Sequence, residues 1–118
     1  MKIIITKTFL KDYKKVCKNI NIEVFTKNIF SIQNLEAMYL KRPILKLRIK
    51  VSNIHIRLAC KYIEDRFLLF PILIYKKSDK NYWENLIWNN IEEVIQQQLI
   101  KIDSDLQSWN YTTYSSIQ

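Results

Sequence analysis

The chain has 118 residues, a formal net charge of +8, and 48 % hydrophobic against 25 % charged residues, which excludes a wholly disordered chain and predicts one globular unit with a single sizeable core. It contains no glycine, one histidine and two widely spaced cysteines, Cys17 and Cys60; this excludes a Gly-rich phosphate loop and predicts reduced, buried thiols with no metal and no cofactor. The cationic excess favours an anionic partner.

Ile3-Ile4-Ile5 reads as a short buried strand. Phe9, Tyr13, Val16, Cys17 and Ile20 then recur at helical spacing, with Lys11, Lys14, Lys15 and Lys18 on the opposite side and Thr8 as the candidate N-cap. A second helical pattern, Ile22, Phe25, Ile29 and Ile32, extends toward Leu35 and Met38 until Lys41-Arg42-Pro43 breaks it, because proline disfavours helix at the residue before it.

From Ile44 the period becomes two. Leu45, Leu47, Ile49 and Val51 alternate with Lys46, Arg48 and Lys50; after Ser52-Asn53 the alternation resumes with Ile54, Ile56, Leu58 and Cys60 against His55, Arg57, Ala59 and Lys61. A two-residue connection implies a hairpin. Glu64-Asp65 precedes a third strand, Arg66 to Tyr75, where Pro71 predicts an edge or a bulge. A polar loop, Lys76 to Asn81, leads to a long amphipathic helix marked by Trp83, Ile87, Ile91, Val94, Ile95 and Ile102.

The expected fold is therefore α+β: a small antiparallel sheet with helices on one side, two of them N-terminal and one long and C-terminal, in the order β-α-α-β-β-β-α. Residues 1–103 form the expected single domain and 104–118 an aperiodic, mobile or docking tail. Met1 to Thr6 is too short for a signal-peptide apolar region, and Phe67 to Tyr75 is about half a bilayer span. The expectation is a cytoplasmic protein with no membrane contact.

If Ser52-Asn53 is the turn, Val51 faces Ile54, Lys50 faces His55, Ile49 faces Ile56 and Arg48 faces Arg57. Lys46, Arg48, Lys50, His55 and Arg57 then share one surface and the aliphatic residues the other. Arg48 opposite Arg57 is an unfavourable like-charge pair, with no carboxylate nearby in the hairpin. A phosphate between them supplies the missing counter-charge, because guanidinium forks match its oxygens. The plain alternative is the solvated face of a half-buried sheet. Lys76, Lys77 and Lys80 follow in the next loop, then Tyr82, which suits base stacking, and Trp83, which suits helix packing. His55 is the chain's one histidine, a residue type suited to proton transfer. RNA cleavage by its own 2′-hydroxyl needs a base, cations for the phosphorane and an acid, all of which such a surface can offer without a metal. Glu64, Asp65, Glu92 and Glu93 give no paired-carboxylate geometry.

The run Leu45 to Lys50, then Ile56-Arg57-Leu58, Phe67 to Phe70 and Ile74-Tyr75-Lys76-Lys77, resembles the core of the RelE/ParE toxin superfamily, and Ile5 to Lys15 resembles its first strand and helix. The resemblance covers about residues 2 to 100 and rests on short, degenerate motifs. It implies a type II toxin that cuts mRNA on the ribosome without a metal and is neutralised by a cognate antitoxin. It also implies roles: Arg48 and Lys50 as the strand cations, with Lys50 the base; Arg57 as the phosphate-binding arginine; Lys77, or Lys76, where an arginine acid is common; Tyr82 as the late stacking tyrosine. Lys46, His55, Lys76 and Lys80 are the further RNA-binding candidates. Lysine at the acid position and the longer C-terminal helix depart from the family pattern. Two other readings share the fold: a ParE-like inhibitor of DNA gyrase, and a non-catalytic basic module that binds RNA or protein.

Overall fold

The structure, a computed structural model, describes residues 1–78 and 88–116, with only the backbone for residues 88–90. It is an α+β fold: β1 (Lys2–Thr6), α1 (Lys7–Val16), α2 (Ile22–Phe30), β2 (Tyr39–Lys41), β3 (Ile44–Val51), β4 (Ile54–Ile63), β5 (Leu68–Lys76), α3 (Trp88–Gln107) and β6 (Tyr111–Ser115). The strands form one sheet in the order β2-β3-β4-β5-β1-β6. All neighbours are antiparallel except β1 and β5.

Local chemistry explains where the helices begin. The cap of α1 is Thr6, not Thr8: its hydroxyl accepts from the Phe9 amide at 3.3 Å, while the Thr8 amide donates to Asp105 Oδ2 at 2.7 Å. Asn21 caps α2 by accepting from the Glu23 amide at 2.9 Å. The second helix stops at Phe30, short of the Leu35 and Met38 expected from periodicity. Asn34 takes a left-handed conformation (φ 61°) and opens a single 3-10 turn over Leu35–Met38. Tyr39–Lys41 then pairs with the start of β3.

Ser52 and Asn53 both have positive φ, 49° and 67°, the signature of the tight turn whose twist matches a hairpin. The expected register holds throughout: Val51 pairs with Ile54, Lys50 with His55, Ile49 with Ile56 and Arg48 with Arg57. Leu45, Leu47, Ile49, Val51, Ile56, Leu58 and Cys60 are buried with Phe9, Tyr13, Phe25 and Ile29 of α1 and α2. This is the main core, where truncating a buried Leu costs about 2–5 kcal/mol.

Pro71 marks a bulge, as expected. Ala59 pairs with Leu73 and Cys60 with Pro71, leaving Ile72 as the extra residue. The bulge turns Ile72 and Leu73 to the same side, and both join Ile44, Ala59, Ile91, Ile95 and Ile102 in a second core. Ile44 and Ala59 alternate with the main-core residues, so this cluster lies on the other face. Helices therefore cover both faces, not one, and α3 covers the part of the second face away from the Ser52-Asn53 tip. Strand β1 pairs with β5 only at Leu68 and Leu69. Beyond that point Gln98 of α3 bonds the Ile72 carbonyl at 3.4 Å and Asp12 of α1 at 3.3 Å, shielding the β5 edge.

The segment expected to be an aperiodic tail from 104 is ordered into elements. The helix runs to Gln107, and Tyr111–Ser115 forms β6, antiparallel to β1 over Lys2↔Ser115 through Thr6↔Tyr111. No helix among the described residues is long and apolar enough to cross a membrane.

Candidate nucleic-acid interface

Alternation on β3, β4 and β5 builds the surface in rows across the sheet. Nearest the hairpin tip, Lys50 pairs with His55, whose carbonyl accepts from the Lys77 amide at 2.9 Å. The next row is Arg48, Arg57 and Tyr75; the third is Lys46, Ala59 and Leu73, where α3 takes over. Arg48, Lys50, His55 and Lys77 are exposed, while Lys46, Arg57 and Tyr75 are half-buried. Five of the nine residues expected at the site thus share this face: Lys46, Arg48, Lys50, His55 and Arg57. Lys77 ends the first row.

The electrostatics show real crowding. Arg57 is held below the usual guanidinium range by burial first and by Arg48 second. The Lys46 ammonium is pushed down by burial, then by Arg48 and Arg57. Among the described residues, no carboxylate lies within 4 Å of Arg48, Lys50 or Arg57; at the other end of the ribbon Arg42 does form an ion pair, with Glu64.

Lys76 departs from the expectation. It pairs with Ile56, a main-core residue, and its charge acts on Cys17 at the end of α1. Alternation after the bulge turns it toward the α1 face, away from the arginines, so of the two lysines weighed at that point only Lys77 continues the cationic rows. Lys80, Tyr82 and Trp83 lie outside the described residues.

Tyr75 was missed as a site residue. Its place beside Arg57 depends on the bulge at Pro71, which shifts the phase of β5. Counting the bulge into the alternation would have found it. Both cysteines are buried, and burial raises both thiols. Among the described residues, no three His, Cys, Asp or Glu side chains gather as metal ligands.

Arg48 and Arg57 side by side can straddle one phosphate, and the flanking rows can follow a chain backbone in either direction. The half-buried Tyr75 ring gives this row an aromatic member. The class is thus a small α+β protein with a cationic sheet face. Comparison with protein-family models, with curated proteins and with solved structures gives no match.

Proposed function

We propose that the protein is a RelE-like type II toxin: a metal-independent, ribosome-dependent endoribonuclease that cuts mRNA in the cytoplasm and is neutralised by a cognate antitoxin. The observation that carries this reading is the Arg48–Arg57 pair, apposed in register on a sheet face with no carboxylate beside it among the described residues. Like charges directly opposite cost stability, so a bound polyanion is what such an arrangement serves. The order β1-α1-α2-β3-β4-β5-α3 supports the finer fold assignment, with β2 and β6 as additions.

In the proposed reaction, the 2′-oxygen attacks the neighbouring phosphorus as a base removes its proton. The 5′-oxygen leaves with a proton from an acid, giving a cyclic phosphate and a free 5′-hydroxyl. Arg48 and Arg57 hold the phosphorane charge. Lys46 is the stronger candidate for base, in place of Lys50. It is half-buried beside both arginines, and burial first, then their charge, lowers its proton affinity, the direction a base requires. Lys50 then binds the backbone, and Lys77 is the candidate acid.

Induced expression in a bacterium tests the reading. Growth arrest should come with new mRNA 5′ ends inside translated codons, and Lys46→Arg should bind RNA but not cut it, while Lys50→Arg still cuts. Intact transcripts accompanied by relaxed or broken DNA would point to gyrase and end the ribonuclease reading.

A further inference from the structure

The last strand of the sheet raises a question unrelated to the cationic face. In the β1–β6 ladder, the Lys7 amide donates to the Asn110 carbonyl at 2.9 Å and the Ser116 amide to the Met1 carbonyl at 3.3 Å. Antiparallel strands exchange bonds at every second pair. The inner bonds therefore fall on Thr112 and Tyr114, opposite Ile5 and Ile3. Tyr111, Thr113 and Ser115 direct their amides and carbonyls outward, and β6 ends the sheet.

Proteins usually guard such an edge with lysine, proline or a bulge. This edge has none of them: Tyr-Thr-Thr-Tyr-Ser pairs with β1 without a register break, and threonine and tyrosine favour strands. Residues 106–118 carry no charged side chain, although the chain has a net charge of +8. Beside the edge, Trp109 is 79 % exposed and stacks on Tyr111, with ring centroids 6.1 Å apart.

We infer that β6 is a homodimerisation edge, pairing antiparallel with β6 of a second copy of this chain. The outward groups are self-complementary about a two-fold axis at Thr113. Thr113 meets its own counterpart and Tyr111 meets Ser115, for about six main-chain hydrogen bonds. The charge distribution selects this partner. An acidic protein would be drawn to the lysine- and arginine-rich surfaces, whereas two cationic copies meet at least cost where neither carries charge. On the α2 side, a groove of about 550 Å³ lined by Glu23, Thr26, Lys27, Phe30, Tyr114, Ser115 and Ser116 leaves room for the incoming strand's side chains, and its two charged residues are of opposite sign.

Sedimentation equilibrium from micromolar to submillimolar concentration tests the inference. A monomer–dimer equilibrium is expected, strengthened by added salt as the like net charges are screened. Thr113→Pro removes an outward amide without touching a β1–β6 bond, and Thr113→Lys adds charge to the edge; each should weaken the dimer at least about tenfold. Amide exchange supplies a readout in the unaltered chain: Tyr111, Thr113 and Ser115 should lose protection on dilution while Thr112 and Tyr114 keep theirs. A chain that stays monomeric at the highest concentration overturns the inference. So does a dimer whose Thr113 amide exchanges equally at all concentrations.

Discussion

The β3–β4 ribbon treats its arginines in opposite ways at its two ends. At one end Arg42 lies 2.6 Å from Glu64 Oε1 and 4.3 Å above the Tyr39 ring, and the Tyr39 hydroxyl donates to the same carboxylate. That cation has a counter-charge, a ring to lie on and a shared hydrogen-bond partner. At the other end Arg48 and Arg57 face each other, and burial, then the Arg48 charge, makes the Arg57 charge harder to hold. The same fold can supply a carboxylate to an arginine and does so where the group serves structure. Among the described residues none lies beside Arg48 and Arg57, and on the proposed reading a bound polyanion supplies that counter-charge.

Arg57→Ala gives the largest expected separation of the two ends. Loss of a charge-assisted contact of about 1.5–3 kcal/mol corresponds to roughly a 10- to 150-fold weaker grip on single-stranded RNA. Toxicity should vanish, and the circular-dichroism spectrum and unfolding midpoint should hold or improve. Arg42→Ala should leave RNA affinity unchanged. If both variants bound RNA equally well, the contrast between the ends would have no functional meaning.

Salt sharpens the same contrast. RNA affinity of the wild type should fall with a log–log slope of about −0.7 for each phosphate neutralised, and Arg57→Ala should flatten that slope by about one phosphate. A titration of a labelled oligonucleotide by anisotropy at several salt concentrations measures it. A slope that Arg57→Ala leaves unchanged would place the RNA elsewhere.

Arg48→Gln has a smaller effect, opposite in sign. Removing one of two apposed cations should stabilise the free protein by about 0.5 kcal/mol, seen as a higher denaturant midpoint. The pH dependence follows from Lys46. Its folded pKa lies below its ordinary value, through burial first and then through Arg48 and Arg57, so the unfolded chain binds more protons in that window. Stability therefore rises with pH as the window below 10.5 is crossed. In Arg48→Gln this alkaline rise should shrink.

The hairpin was legible because two local signals agreed. Strict alternation fixed which side chains share a face, and a two-residue turn fixed which residues are opposite. The covering of that face was not legible, because an amphipathic pattern says that a helix buries one side but not which sheet face receives it. Lys76 and Tyr75 were hidden by the bulge, since a single inserted residue at Ile72 exchanges the faces of everything after it. Tyr111–Ser115 has almost no apolar period. It is a strand because β1, with Ile3 and Ile5 on one face and Ile4 on the other, offers an edge beside it, and no window of local sequence contains that information.

The smallest effect is expected at the paired end, and its sign differs in kind. The Tyr39 hydrogen bond first, against desolvation and with help from Arg42, holds Glu64 below its ordinary value of 4.5. A carboxylate with a depressed folded pKa contributes stability that is fully present above the unfolded value and is lost as pH falls through the folded one. Glu64→Gln should therefore lower the unfolding midpoint slightly at pH 7, and the gap from the wild type should close as pH drops below about 4.5. Because the pair is exposed, the gap should also narrow in high salt, whereas RNA binding should not change at any pH. A Glu64→Gln variant that lost RNA affinity would show that the two ends are coupled, and the division of the ribbon into a structural end and a binding end would have to be given up.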